Sequence, residues 1–287
     1  MQNACGTIDY NDDKWNVISN IINTIRQKVK TLNVEEIDTP ILENTDLLLK
    51  KYGDEAESKL IYNLKDGTSL RYDLTVPLVR YFCNNGLESM RRFQVGKVFR
   101  KDNSEVEKGR FREFYQADLD IVGNYEHLAS EIEIFWLINS VLEELGIEKY
   151  TIKYNYRNNL YDMCKKIGVT NDKYIKSICT SIDKLDKFIW EQVAKELLQV
   201  RKLSQQQVDK LKELIESNYL SESLVETDKK LNQYAKNLTR DSSLARGLDY
   251  YTGIIYEVII NDSKTVIAGG RYDKMIYKSL KNGKKYI

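Results

Sequence analysis

Residues 95–123 read VGKVFR (95–100), KDNSEVEKG (101–109) and RFREFYQADLDIVG (110–123). Two β-rich stretches flank a strongly charged loop, the pattern of a long antiparallel hairpin. Strand side chains alternate with period two. In the second arm Arg112, Phe114, Gln116, Asp118 and Asp120 therefore share one face, and Glu113, Tyr115, Ala117, Leu119 and Ile121 share the other. The second face is the more apolar and the natural one to bury. The first must then meet water, a ligand or polar partners. From the pattern alone, a solvated face laced with ion pairs is as good a reading as a binding surface. Arg100 ends the first arm opposite this polar row.

Working outward toward the N-terminus, SLRYDLTVPLVRYFCNNG passes from strand to helix at Thr75-Val76-Pro77, with Pro77 placed in the first helical turn. Asp73 and Thr75 thus lie near the positive end of the helix dipole, where capping, a salt bridge to Arg71 or Arg80, and ligand contact are all open. Lys59–Asn63 and Thr68–Arg71 predict a second hairpin around Lys65-Asp66-Gly67. Glu35–Asp38 predicts a strand broken by Pro40, and Thr45–Tyr52 a short helix. From Asn11 to about Thr31, Trp15, Ile18, Ile21, Ile22, Ile25 and Val29 recur at helical steps and predict a helix with one apolar stripe.

On the C-terminal side, His127–Leu145 predicts a long amphipathic helix, followed by a strand at Tyr150–Tyr154 and a helix at Asn158–Ile167. From about Val169 to Leu238 glycine is absent and Lys, Gln, Glu and Leu dominate, which predicts a helical module whose mixed charges suit a solvated surface. The β pattern returns in LARGLDYYTGIIYEVIINDSKTVIAGGRYD, with Ile254–Ile260 and Thr265–Ala268 as paired strands.

Composition sets outer bounds. The chain has 287 residues, 42% of them hydrophobic and 30% charged, which suits a globular protein with ample core. A net charge of +1 offers no global attraction to nucleic acid. Cys5, Cys83, Cys164 and Cys179 show no metal-like spacing, and one histidine, His127, cannot complete a zinc cluster with them. Buried reduced thiols and a surface His127 are the expectation. No apolar run reaches spanning length, and the acidic N-terminus is unlike a signal or transit peptide, so a cytoplasmic protein is expected.

Taken together, RYDLTVP (71–77), VFRKDN with KGRFREFYQADLDIVG (98–123), LARGLDYYTG (244–253) and IAGGRYD (267–273) resemble the histidyl-tRNA synthetases, of the eukaryotic-type branch, among the class II aminoacyl-tRNA ligases. CGTIDYNDDKW resembles the family's start and EEIDTPILE its first motif. The resemblance implies an α+β fold, an antiparallel sheet of six to seven strands flanked by helices, with a helical insertion. It divides the chain into a first part of the catalytic core at 1–168, the insertion at 169–238 and a second part of the core at 239–287. It also implies a homodimer through motif 1. The implied reaction is ATP-dependent activation of L-histidine to the adenylate, with Mg2+, and transfer to histidine tRNA, with no membrane involved.

By residue, Arg100 resembles the motif 2 arginine on the α-phosphate, and Arg246 the family's second catalytic arginine. A guanidinium is permanently charged and forked, so it can neutralise charge building on phosphoryl oxygens. The resemblance sets Asp73, Leu74, Thr75 and Gln116 around the substrate's α-amino end. Asp120 and Tyr251 would serve its imidazole, with Tyr250, Gly269 and Gly270 lining the pocket. Asp102 and Arg110 match loop positions near ATP. Gln116 and Asp120 lie about 13 Å apart along one strand face at roughly 3.3 Å per residue, suited to opposite ends of one amino acid. No metal is expected on protein ligands alone.

The resemblance departs from the family beyond AGGRYD. There the third class II motif and an anticodon-binding domain would follow, so a C-terminally truncated catalytic domain is the expectation. Losing that motif also raises the alternative of a non-catalytic, synthetase-like regulatory module that binds histidine or tRNA, and a tRNA-binding fragment without ligase activity is a third reading.

Overall fold

The computed structural model describes residues 2–52, 60–101, 109–246, 251–261 and 264–276. The chain forms two compact units, one of residues 1–130, 140–145 and 275–287, the other of residues 131–139 and 146–274.

The first unit opens with helix α1 (Asp12–Lys30), where Asn11 accepts a hydrogen bond from the Lys14 amide at 3.2 Å and caps the helix as predicted. Asp12 and Asp13 stand in its first turn and Lys28 and Lys30 in its last, each complementing the local helix dipole. The helix and its apolar stripe form as the spacing predicts, but the stripe is only partly covered. Val29 alone is fully covered, while Trp15 and Ile21 remain 41% and 39% exposed. The Trp15 ring sits 5.8 Å from that of Tyr115, so the helix leans on a few side chains rather than on a closed core.

Strand β1 (Glu35–Glu36) runs parallel to β4 (Met90–Phe99), which pairs antiparallel with β5 (Glu113–Val122) over its whole length. This is the predicted hairpin, extended five residues further toward the N-terminus than Val95. Strand β2 (Leu42–Asn44), absent from the sequence reading, pairs with β3 (Thr68–Leu70), and α2 (Thr45–Tyr52) follows β2. The second hairpin survives in backbone bonds from Leu64 N to Thr68 O and from Leu70 N to Tyr62 O. Its turn is held by Asp66, whose carboxylate accepts from the Thr68 amide and hydroxyl. Helix α3 (Thr75–Asn84) buries Leu78, Val79 and Phe82.

In the second unit, residues 131–139 belong to α4 (Ala129–Glu144). Strand β6 (Tyr150–Tyr156) lies between β7 (Leu238–Arg240), parallel to it, and β8 (Ile254–Ile260), antiparallel, with β9 (Lys264–Gly270) outside β8. Among the described residues the hydrogen bonds thus make sheets of three, two and four strands, with two short parallel pairs, rather than one antiparallel sheet.

Between β6 and β7 the chain is helical: α5 (Arg157–Lys166), α6 (Asp172–Ile182), α7 (Trp190–Gln199), α8 (Gln205–Glu216) and α9 (Val225–Tyr234). Asn171 caps α6 through the Tyr174 amide, and Ser204 with Gln207 forms a reciprocal capping box on α8. Leu160, Ile178, Leu197 and Leu211 close a common apolar core, which also takes up Cys164 and Cys179. None of the four cysteines is in a disulfide, Cys5 is exposed, and His127 is exposed just before α4.

Candidate functional site

The predicted residues fall in both units, so each half is described by itself. In the first unit, β4 and β5 bring their polar rows together in register: Arg92 lies opposite Asp120, Gln94 opposite Asp118 and Gly96 opposite Gln116. The row that had to meet water, a ligand or polar partners meets a buried cation. Arg92 is completely buried. Its Nη2 lies 2.8 Å from an Asp120 carboxylate oxygen and 3.9 Å from one of Asp118. The same nitrogen donates to the Leu74 carbonyl at 2.9 Å, and Nη1 donates to Gln94 Oε1 at 3.2 Å. Gln94 in turn donates to Thr39 Oγ1 and Asp38, which anchors the cluster to the segment after β1.

Asp73 is also buried, and its carboxylate accepts from the amides of Thr75 and Val76 at 3.1 and 3.2 Å. The capping expectation therefore holds. Arg71 instead donates to the carbonyls of Thr39 and Lys97, and Arg80 grips Glu43 with its Nη2 2.8 Å from Oε1. Leu74 places its side chain in the core and offers the cluster only its carbonyl.

Gln116 donates from Nε2 to Asp118 Oδ1 at 3.1 Å, while its own Oε1 is shut off from solvent and has no hydrogen-bond partner among the described residues. Asp73 and Asp120 thus both act on the Asp118 carboxyl, and the buried guanidinium groups near it are Arg92, which lies against Asp120 and Asp118, and Arg71. Burial, and next the charge of Asp120, push the Asp118 carboxyl up to about 7, with Arg92 opposing and Asp73 adding to the rise. A carboxyl raised in this way is relieved by a cationic group brought beside it.

Arg100 lies at the end of β4 with its guanidinium 4.3 Å from the Tyr72 ring centre and 5.0 Å from that of Phe114. Its Nε donates to the Tyr72 carbonyl at 3.2 Å. Two aromatic faces hold the cation in place while leaving it permanently charged, an arrangement that suits a phosphate. Arg110 is exposed, and Asp102 lies outside the described residues.

In the second unit, Arg246 is half exposed and its Nη1 lies 3.0 Å from Glu257 Oε2 on β8. Glu257 also accepts from Thr265 Oγ1 at 2.9 Å. Burial raises Asp183 against the pull of the Arg246 charge. Arg157 donates to the Tyr251 carbonyl and to the Tyr161 hydroxyl. Both glycines of β9 are needed by neighbouring rings. A Cβ on Gly270 would stand 2.8 Å from the Tyr251 ring, and one on Gly269 would stand 2.3 Å from the Tyr256 hydroxyl. Tyr250 lies outside the described residues. No group of three His, Cys, Asp or Glu among the described residues is arranged to hold a metal.

Sequence reading missed Arg92, the centre of the first half. The signal was present: the alternation of β5 continues on its partner through Arg92, Gln94, Gly96 and Val98, once the first arm is begun at Met90.

Among curated proteins, the chain is 35% identical to the histidine–tRNA ligase of Danio rerio, over 96% of this chain and 63% of that protein. It is 36% identical to the cytoplasmic histidine–tRNA ligase of Dictyostelium discoideum, over 94% and 62%. The chain spans about three fifths of the length of these curated relatives. Among solved structures, histidyl-tRNA synthetase from Nostoc sp. superposes with a TM-score of 0.75 at 23% identity, covering 94% of this chain and 68% of that one. A Bacillus halodurans chain described as an ATP phosphoribosyltransferase regulatory subunit/histidyl-tRNA synthetase gives a TM-score of 0.80 at 17% identity, over 97% and 78%. These likenesses show the class II synthetase α+β fold. The histidyl-tRNA synthetase family profile matches residues 6–285, and the chain belongs to that family.

Proposed function

We propose that the chain carries the histidine-activating part of a histidine–tRNA ligase. The observation that supports this most is the β4–β5 nest: a raised Asp118 carboxyl among Asp73, Asp120, Arg92 and Arg71, beside a buried Gln116 Oε1 with no donor among the described residues. An α-ammonium supplies both the missing charge and the missing donor. Asp73, Thr75 and Gln116 would hold that end of histidine, while Asp120 and Tyr251, with Tyr250 and the Gly269–Gly270 end of β9, would serve the ring.

ATP fits the permanently charged, ring-stacked Arg100 and the half-exposed Arg246. Asp102 and Arg110 would stand near the nucleotide. The histidine carboxylate oxygen would bond to the α-phosphorus as the bond to the pyrophosphate oxygen breaks, and charge on the phosphoryl oxygens would be met by the two guanidinium groups. Mg2+ would ride on the phosphates of ATP, and the adenylate would pass to histidine tRNA. The core would comprise 1–168 and 239–287, with 169–238 as an insertion. The cytoplasm is the proposed compartment, supported by relatives named as cytoplasmic forms. No helix among the described residues is long and apolar enough to cross a membrane. The uncovered stripe of α1, next to motif 1, supports a homodimer there, which sedimentation velocity would check.

The test is histidine-dependent ATP–pyrophosphate exchange. Exchange that needs L-histidine and is lost in Arg100→Ala supports the reading. A chain that neither exchanges nor binds L-histidine rejects it. Binding without exchange would favour the regulatory module, to which the similarity with the Bacillus halodurans chain lends some support.

A further inference from the structure

Along β5, Gln116 and Asp118 are next neighbours on one face, and the amide of the first is turned along the strand onto the carboxylate of the second at 3.1 Å. An ionised carboxylate only accepts hydrogen bonds. It therefore selects one of the two orientations of the amide, with the NH2 toward Asp118. The carbonyl oxygen is then left buried with no partner. A buried acceptor without a donor is a deficit that a ligand can make good. In the reverse orientation the NH2 would be presented instead, and a cation would meet a donor.

We propose that Asp118 is a positioning residue that fixes the Gln116 amide, so that Gln116 presents an acceptor oxygen to the α-ammonium group of the amino-acid substrate. The inference rests on the histidine reading and goes beyond it, because Asp118 itself need not touch the substrate. The groups facing Asp118 are Arg92 on β4, Gln116 and Asp120 on β5, Arg71 just after β3, and Asp73 before α3. Arg92 is already engaged by Asp120, the Leu74 carbonyl and Gln94, so it leaves Asp118 at 3.9 Å and free to orient the amide. Protonation would give Asp118 an O–H that can donate to Gln116 Oε1 and turn the amide round. With the carboxyl raised to about 7, this reversal falls within the physiological range.

The test is calorimetric titration of L-histidine into the full chain at pH 8. It compares the wild type, Asp118→Asn, and the double variant Gln116→Glu/Asp118→Asn. Losing the orientation should weaken binding by about 10- to 100-fold, the worth of one hydrogen bond to a charged group. The double variant exchanges carboxylate and amide between the two positions. Its introduced carboxylate offers acceptors in both directions, so affinity should return to within about tenfold of wild type.

If Asp118 served only as a partner of Arg92, the exchange would leave Arg92 equally deprived and nothing would recover. Unchanged binding in the single variant, or no recovery in the double variant, overturns the inference while leaving the histidine reading intact. A wild type that does not bind L-histidine overturns both. A further check needs no variant. Near pH 7, wild-type binding should release protons as the arriving ammonium favours the ionised Asp118 carboxylate, and proton uptake would overturn the inference.

Discussion

Arg92, Gln94, Asp118 and Asp120 are drawn together between β4 and β5, whereas α5 to α8 close around Leu160, Ile178, Leu197 and Leu211. The helical region removes apolar surface from water and leaves little of its interior polarity unmatched. The strand region takes charge out of water and returns only part of the lost solvation, because the Asp118 carboxyl stays raised despite the guanidinium groups of Arg92 and Arg71. The second arrangement is costly to keep without a ligand, and such cost is normally found where something binds. The contrast assigns stability to one region and recognition to the other.

The largest expected effect comes from Arg92→Met, which strands the carboxylates. Denaturant unfolding should show a loss of about 3–5 kcal/mol, as for other buried pairs deprived of one partner. The loss should be smaller at pH 5 than at pH 8, since the stranded carboxyls can neutralise themselves by binding protons. If Arg92→Met left stability unchanged at pH 8, the strand face would be better solvated than its burial indicates. Leu197→Ala should cost about 2–5 kcal/mol through the cavity it leaves, with L-histidine affinity of the folded protein unchanged. A change in affinity would break the division between the two regions.

A smaller effect sharpens the comparison. The raised Asp118 carboxyl binds its proton more tightly in the folded chain than in the unfolded one. Its contribution to stability is therefore complete below 3.8 and is lost as pH rises through about 7. Thermal midpoints of the unliganded chain should accordingly fall across that window, more in the wild type than in Asp118→Asn. The same slope in both would place the titrating group elsewhere.

Much of this was legible from alternation and caps. The placement of Gln116, Asp118 and Asp120 on one face follows from period two, and α1 begins at its Asn11 cap as its residues predict. What escaped was set by distant partners. Three-residue β2 and β7 are too short to carry a pattern, and each exists because β3 or β6 offers it an edge. Arg92 escaped because a charged residue in a strand ordinarily signals a solvated face, and only the register with Asp120 shows that this one is buried. The α1 stripe shows the opposite limit: its periodicity announced an apolar face, yet could not say whether the covering surface lies within this chain.

The pairing of Ile152 with Leu238 has one more consequence. The five helices leave from the end of one strand and the chain re-enters on the strand beside it, so the whole excursion begins and ends at a fixed doorway. Closing a longer or shorter detour between two such posts changes the entropy only slowly, by about 0.6 kcal/mol for each doubling of its length. Evolution can therefore enlarge, trim or replace that detour while the strands that frame it keep their register.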